Sequence, residues 1–385
     1  MTKKKVAVIS SYYQNWNMGG LLQAYALNRA IRDLGYDAEH IRLCYTEPAD
    51  TDSALSARVR TVLTRHRLSS ELIERFFTFR QHESKNRKSF RDFHDHAIHG
   101  SAACCDAITA VKLNRHYDIF VTGSDQIWNP EFWSERLLGV FGLLFAARGK
   151  RTLSYAASIG SEQAVAGKED VFRAFLEKLD FVSVREAAAQ TCLQPLTDKP
   201  VRVVVDPTLL LKSSDWAEET AERQTDAPYL FAYFLEEETK HTAQLHAAAG
   251  QLSLPVYCIS TEKGQYVRPE QDHQICDAGP REFLSYIRNA EMIVTNSFHG
   301  MVFSVVFQKP FWVVKRYRDT DKASANNRIT DFLRMLGLED RLLEDGEMPD
   351  AERLRRPIDY DRVSTRLEDL RTDSLHWLSD ALETE

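Results

Sequence analysis

The stretch that decides the fold is MIVTNSFHGM, residues 292–301. Its apolar start, Met292 to Val294, predicts a short buried parallel strand. The polar residues that follow predict a strand-to-helix turn, and the apolar positions from Met301 onward predict a helix. His299 is therefore expected near a helix N-terminus, where N–H groups can meet an anionic ligand. The alternative is that His299 only caps the turn or fills a polar pocket.

The composition is that of a globular protein large enough for two domains. The chain has 385 residues, of which 43% are hydrophobic and 27% are charged, and a single core rarely exceeds ~250–300 residues. No apolar run approaches the ~18 residues of a membrane span, and the start lacks a signal-peptide pattern, so a cytoplasmic protein is expected. The six scattered cysteines lack metal-ligand spacing and are expected to be reduced thiols.

Charge is distributed unevenly along the chain. The formal net charge is -7, but residues 1–200 carry +4 and residues 201–385 carry -11. This division argues against general nucleic-acid binding. Residues 58–91 hold ten Lys and Arg against three Asp and Glu. They are expected to form basic amphipathic helices, either as a solvated surface or as a peripheral contact with the inner face of an anionic membrane.

The chain opens with a βαβ pattern. A strand is predicted over residues 6–10, a helix after the pair Gly19-Gly20, and a second strand over residues 38–43. Asn17, Gly19 and Gly20 are candidate substrate-binding positions because glycines let the backbone approach a ligand at a helix N-terminus. The alternative is a tight turn without a ligand. The stretch lacks both the GxGxxG spacing and a P-loop lysine, so the indication of nucleotide binding is weak.

A polar loop follows the strand predicted over residues 118–122. The loop reads GSDQIWNP, residues 123–130. Its hydrogen-bonding groups and indole ring are suited to sugar hydroxyls, or else they form an Asx-type turn before the proline. The candidate sugar-binding residues of this loop are Ser124, Asp125, Gln126, Trp128 and Asn129.

Arg185 follows the strand predicted over residues 181–184, so it is expected at the carboxyl end of the sheet. A guanidinium group fits a carboxylate or a phosphate of a ligand. Pairing with Glu186 or another acid of the protein is an equal alternative.

A polar, acidic segment without an apolar period, residues 212–227, predicts a domain boundary. Beyond it, strands and helices alternate up to a strand predicted over residues 311–314, which indicates a second parallel α/β layer. Lys315 and Arg316 follow that strand at its carboxyl end, near the expected position of His299. The predicted units are residues 1–211, residues 228–345 and a closing helical segment, residues 346–385.

Two such domains predict a cleft between them, with His299, Arg185 and Lys315 facing it and suited to an anion. The sequence has no HExxH, GxSxG, Walker or CxxC pattern. Metal-dependent hydrolysis, serine acyl transfer, NTP hydrolysis and thiol redox chemistry therefore lose their main support. Transfer chemistry without a metal remains.

Six motifs occur in order between about residue 6 and residue 314. They are GGLLQAYAL (19–27), GSDQIWNP (123–130), YAAS (155–158), SVRE (183–186), DPT (206–208) and SFHG (297–300). Together they resemble the polysaccharide pyruvyl transferase family. The resemblance implies a GT-B-like glycosyltransferase architecture, in which two Rossmann-like domains face a cleft. It also implies an acceptor side in residues 1–211 and a donor side in residues 228–345.

The resemblance further implies phosphoenolpyruvate as the donor and no cofactor or metal. The product would be a pyruvate ketal on two hydroxyls of a sugar, free or lipid-linked, in the cell-envelope context of a capsule or exopolysaccharide. His299 matches the family's motif histidine and Arg185 its motif arginine, and both are expected to be catalytic. Ser297 shares the histidine's motif, whereas Lys315 and Arg316 match by neighbourhood only. Many members have an acidic residue where this chain has Gly20.

In this scheme His299, with a pKa near neutrality, would donate the proton that the donor's methylene carbon receives or would assist the departure of phosphate. Arg185 and Lys315 would hold the donor's carboxylate and phosphate. Two rivals use the same cleft. One is a GT-B nucleotide-sugar glycosyltransferase, and the other is a catalytically silent sugar- or anion-binding protein.

Overall fold

The structure is a computed structural model. It describes residues 3–44, 87–235, 241–260, 267–268, 270–315, 327–344, 346–347 and 350–383. Within these residues the chain forms two parallel β-sheets with helices on both faces. It is therefore an α/β protein of two Rossmann-like units, as the sequence predicts.

The first sheet has the strand order β3-β2-β1-β4-β5-β6-β7. Its strands are β1 (Lys5–Ile9), β2 (Asp37–Leu43), β3 (Gly100–Cys105), β4 (Ile119–Thr122), β5 (Arg151–Ala157), β6 (Phe181–Val184) and β7 (Val201–Val203). The order reverses between β1 and β4, so the carboxyl ends of these two strands flank the crevice where open α/β sheets bind ligands.

The second sheet has the order β10-β9-β8-β11-β12-β13. Its strands are β8 (Leu230–Phe234), β9 (Val256–Ser260), β10 (His273–Ile275), β11 (Met292–Thr295), β12 (Phe311–Val314) and β13 (Leu342–Leu343). All four residues of β11 are buried, and it pairs in parallel with β8 and β12 at the centre of the sheet. Because β11 is buried on both faces of the sheet, the stretch 292–301 begins with an unbroken apolar run.

The helices surround both sheets. They are α1 (Met18–Asp33), α2 (residues 87–96), α3 (Glu135–Phe141), α4 (Glu169–Lys178), α5 (Ala187–Leu193), α6 (Ser213–Glu218), α7 (Thr242–Leu252), α8 (Pro280–Asn289), α9 (Phe298–Val306), α10 (Asn327–Leu336), α11 (Ala351–Leu354) and α12 (Tyr360–Glu383). Short 3₁₀ turns lie between them, and the turn Pro207–Leu209 contributes to the candidate site.

One local prediction is corrected by the structure. Helix α1 begins at Met18 rather than after the glycine pair, because the Asn17 side chain caps it by accepting a hydrogen bond from the N–H of Gly20. The predicted boundary segment, residues 212–227, lies between the last strand of the first sheet and the first strand of the second, and it contains α6, whose Trp216 is buried. The sequence analysis further omitted the edge strands β3, β10 and β13 because they are short or weakly apolar.

The last helix returns to the first sheet. In α12 the Ser374 hydroxyl accepts a hydrogen bond from the backbone N–H of Val205, and the Ala381 carbonyl accepts one from the Arg151 guanidinium. The Trp377 ring contacts Tyr155 of β5 with ring centroids 6.2 Å apart. The C-terminal segment therefore closes the fold by packing on the N-terminal unit, a contact that its position in the sequence does not reveal.

Of the helices in the described part of the chain, none combines the length and apolar character that crossing a bilayer requires. The predicted basic amphipathic segment lies, up to residue 86, outside the described residues. Its last five residues, 87–91, form the start of α2.

Trp216 connects the two units at the centre of the molecule. Its indole N–H donates to the carbonyl of Thr208, and its ring contacts Tyr25 of α1 and Phe303 of α9 at centroid distances of 5.4 and 4.9 Å. We expect Trp216→Ala to lower the free energy of unfolding by about 3–5 kcal/mol because it leaves a cavity between these helices.

Urea unfolding followed by circular dichroism measures this loss. Leu144→Ala is the matched control, because Leu144 is 45% exposed and its truncation should cost less than ~0.5 kcal/mol. Equal midpoints for the two variants would contradict the role of Trp216 at this junction.

Candidate active site between the two sheets

His299 lies in the first turn of α9. The helix begins at Phe298, and the Ser297 side chain caps it by accepting a hydrogen bond from the N–H of Gly300 at 3.3 Å. His299 is 8% exposed, so its imidazole is set into the protein rather than into solvent. The prediction that His299 lies at a helix N-terminus beyond a buried strand is confirmed.

The imidazole of His299 packs against Gly19 in the first turn of α1. A Cβ atom at Gly19 would overlap the ring around Nδ1. Glycine is therefore required here by close approach rather than by backbone conformation. The contact brings the N-terminal turns of two helices, one from each unit, together at one imidazole. Both helix ends favour negative charge at this point.

Asp206 is the buried carboxylate that faces the other side of the imidazole. Its Oδ2 lies 3.8 Å from Nε2 of His299, and Oδ1 accepts hydrogen bonds from the backbone N–H and hydroxyl of Thr208 at 3.0 and 2.7 Å. The motif Asp206-Pro207-Thr208 thus forms a closed turn that holds the carboxylate in place. Sequence analysis noted the motif but assigned it no role, because only the fold brings it beside His299.

Arg185 lies between three carboxylates. Its guanidinium donates to Asp206 at 2.9 Å and lies 3.5 Å from Asp125 and 3.6 Å from Glu186, with its carbon 4.9 Å above the ring of Phe298. The pairing with acids that the sequence left open is therefore present. Direct contact between Arg185 and a donor anion stays a prediction.

Burial and charge set the protonation states of this cluster. Burial lowers the pKa of His299 below its usual value, although the neighbouring carboxylates of Asp206 and Asp125 partly oppose this effect. Burial tends to raise the pKa of Asp206, but the positive charges of His299, when it is protonated, and of Arg185 outweigh it and lower that pKa. The burial of His299 favours the neutral imidazole in the free protein. The expectation of a His299 pKa near neutrality stays a prediction.

Several buried polar atoms of the site make no hydrogen bond within the described residues. They are Nε2 of His299, Nε and Nη2 of Arg185, Oε2 of Glu186 and Nδ2 of Asn296. Buried polar groups normally have partners, so the unpaired Nε2 of His299 and the unpaired Nη2 of Arg185 indicate a place where a polar ligand completes the hydrogen bonding.

The loop 123–130 follows β4 at the carboxyl edge of the first sheet, the edge at which Arg185 follows β6. Most of its side chains, however, point into the protein. Ser124 is buried and donates to the carbonyl of Ala156, while Gln126 accepts a hydrogen bond from Asn129. Trp128 is fully buried and donates to the carbonyl of Phe141. Its ring belongs to the core, so the expectation that it meets a sugar is corrected. Asp125 remains at the site through Arg185.

The remaining predicted positions that the structure describes lie at the start of α1 or directly after β12. Asn17 and Gly20 form the first turn of α1, and a Cβ atom at Gly20 would press on the side chain of Asn15. Lys315 follows β12 and binds Glu344 at 2.9 Å. Arg316 lies outside the described residues, so its predicted role stays a prediction.

One basic residue at the site was not predicted. Arg328 belongs to the first turn of α10 and lines a small pocket together with Arg185, Asp206 and Phe298. Its positive charge contributes to lowering the pKa of His299. No pattern in the sequence around Arg328 distinguishes it from other surface arginines, so only the fold reveals its position.

The described residues contain no group of three or more His, Cys, Asp or Glu side chains arranged to hold a metal ion.

Comparisons with known proteins agree with this architecture. A family model described as polysaccharide pyruvyl transferase matches residues 17–316. No curated protein matches the chain. Among solved structures, the UDP-GlcNAc 2-epimerase of Methanocaldococcus jannaschii has a TM-score of 0.50 at 10% identity, covering 95% of this chain and 93% of its own. The glycosyltransferase SnogD of Streptomyces nogalater has a TM-score of 0.44 at 13% identity, with 97% and 95% covered. The fold is of the GT-B type.

The pKa of His299 tests the electrostatics of the site. We expect it to lie below 6.5 in the free protein, and we expect Asp206→Asn to lower it further by removing the charge that favours imidazolium. Histidine NMR titration measures both values, with His299→Gln identifying the resonance.

The matched control is Glu186→Gln, which removes a buried charge from the other side of Arg185 and should change the pKa less. A wild-type value at or above 6.5, or a value that Asp206→Asn leaves unchanged or raises, would contradict this arrangement.

Proposed function

Because the chain belongs to the polysaccharide pyruvyl transferase family, we propose that it transfers the enolpyruvyl carbons of phosphoenolpyruvate to two hydroxyls of a sugar as a ketal. The observation that carries the proposal is the buried imidazole of His299, which lies in the first turn of α9, against the first turn of α1 and beside Asp206. These surroundings suit a proton transfer next to a bound anion.

The reaction needs one proton at carbon and two C–O bonds. Protonation of the donor's methylene carbon makes C2 an oxocarbenium-like centre, and the first sugar hydroxyl attacks it. The C–O bond to phosphate then breaks, phosphate leaves, and the second hydroxyl closes the ketal. The two hydroxyl protons balance the proton gained by the methyl group and the proton carried by the departing phosphate.

His299 supplies the methylene proton in this proposal. Its imidazole is neutral in the free protein, but the negative charge of a bound phosphoenolpyruvate favours the imidazolium form and raises the pKa. The histidine is then charged only when the donor is in place. Asp206 positions the ring and stabilises the imidazolium, and its own hydrogen bonds to Thr208 keep it from moving toward the donor.

The donor's anionic groups are held by the N-terminal turns of α1 and α9 and by the basic residues Arg328 and Lys315. Arg185 also offsets part of the negative charge beside His299. Its single positive charge lies against Asp206, Asp125 and Glu186 and so lessens the repulsion between these carboxylates and the donor. Loss of Arg185 would leave the buried carboxylates without this cationic partner.

The acceptor is a sugar of a cell-surface polysaccharide or of its precursor. Under this proposal the protein works in the cytoplasm. It meets the inner face of the membrane only if the acceptor is carried on a lipid diphosphate.

The second candidate is a nucleotide-sugar enzyme, because the solved epimerase that shares the fold is described in complex with UDP-GlcNAc and UDP. Binding of the donor distinguishes a pyruvyl transferase from a nucleotide-sugar enzyme. We expect phosphoenolpyruvate to raise the thermal unfolding temperature and UDP-GlcNAc to leave it unchanged.

Turnover is then followed by phosphate release and by mass. The acceptors are methyl hexopyranosides, methyl glycosides of disaccharides and a polyprenyl-diphosphate-linked hexose. Wild type should form a ketal with at least one of them, and His299→Gln should lose at least ~10²-fold in rate. Protection by UDP-GlcNAc alone, or no ketal with any acceptor, would contradict the proposal.

Proton uptake on donor binding tests the role of His299. At pH 7.5 we expect phosphoenolpyruvate to bind with uptake of protons, because the donor's charge raises the pKa of the imidazole from below its usual value. Calorimetry in buffers of different ionisation enthalpy measures this uptake. His299→Gln should bind the donor without it, and equal uptake by both proteins would exclude His299 as the group that becomes charged.

A further inference from the structure

Trp16 is a large aromatic residue that the structure leaves open to solvent. It is 44% exposed, whereas Trp128, Trp216 and Trp312 are fully buried. A single exposed aromatic ring needs no explanation by itself. Two features set Trp16 apart, because its ring is held by contacts with α2 and its loop leads directly into α1 of the candidate active site.

Helix α2 fixes the indole ring. The guanidinium carbon of Arg87 lies 5.5 Å from the ring centroid, and the buried ring of Phe90 meets it edge-on at 6.0 Å and 75°. Arg87 and Phe90 are three residues apart and so share one face of α2. The ring is thus held by a cation and by a T-shaped aromatic contact, while close to half of the residue's surface stays open.

Trp16 belongs to the loop that leads into α1, whose first turn contacts His299. The N–H of Asn15 donates to the carbonyl of Tyr12, and Gln14 has a left-handed φ of 54°, so the chain turns sharply before Trp16. Trp16 directly precedes the helix cap Asn17. Its Cα lies at most ~11 Å from that of Gly19, since three residues span no more. Gly19 contacts the imidazole of His299.

We propose that Trp16 is the platform on which the acceptor sugar stacks while two of its hydroxyls reach the reaction centre. This inference rests on the proposed function, because it names the acceptor subsite of the same site. The C–H groups on one face of a pyranose are weakly positive, and the face of an indole ring is negative, so the two surfaces are complementary. Such a platform recognises the ring of a neutral hexose without needing a charge on it.

The sequence predicted a sugar contact for Trp128, but Trp16 is the aromatic residue that is available for it. Trp128 is buried in the core and cannot meet a ligand, whereas Trp16 is exposed on the loop that carries the N-terminus of α1.

Saturation-transfer NMR with methyl hexopyranosides tests the platform without any donor. Methyl glycosides are chosen because an aromatic aglycone could itself stack on Trp16. We expect transfer to the sugar with wild type, its loss with Trp16→Ala and its partial retention with Trp16→Phe. Leu144→Ala, equally exposed at 45%, should behave as wild type.

Kinetics with phosphoenolpyruvate and the methyl hexopyranoside that binds wild type provide the second readout. Trp16→Ala should raise the acceptor KM about tenfold or more while the donor KM stays within about twofold. No sugar binding by wild type, or equal binding by wild type and Trp16→Ala, would overturn the inference. Sugar binding that depends on Trp16 in a protein that forms no ketal would instead refute only the proposed function.

Discussion

The ion pair between Arg185 and Asp206 is the interaction on which the rest of the site depends. It joins the end of β6 to the turn that follows β7, and both side chains are buried. Burying the Asp206 carboxylate without a cationic partner would cost free energy, and so would burying the Arg185 guanidinium without its carboxylate partners. The charge of Arg185 helps to lower the pKa of Asp206, and burial lowers the pKa of His299. Both directions favour a neutral imidazole that gains a proton when the proposed donor binds.

The second constraint is the close approach of the two sheets' helices. The imidazole of His299 occupies the space that a side chain at Gly19 would take, so the N-termini of α1 and α9 cannot meet in this way with any other residue there. Trp216 of α6 contacts the same two helices, at Tyr25 of α1 and Phe303 of α9. Packing and chemistry are thus coupled, because the contacts that hold the units together also set the position of the histidine.

Much of the fold was predictable, because buried parallel strands such as β11 and β12 appear as short apolar runs and each is followed by polar residues. The position of His299 followed from the same pattern. The partners of His299 were not predictable, since Asp206 and Arg328 are distant in sequence and nothing local indicates where their side chains point. The predicted sugar contact of Trp128 was wrong, because an indole within a polar loop can still belong to the core.

The most direct test of the account is the fate of [2-¹³C]phosphoenolpyruvate incubated in D₂O with the protein and a methyl glycoside, followed by ¹³C NMR and mass spectrometry. Proton transfer from an exchangeable imidazole to the methylene carbon predicts a sugar-bound quaternary ¹³C ketal whose methyl group carries one deuterium, formed by wild type and not by His299→Gln. A label that stays in the donor or appears only in free pyruvate would contradict the account, as would a ketal formed equally well by His299→Gln.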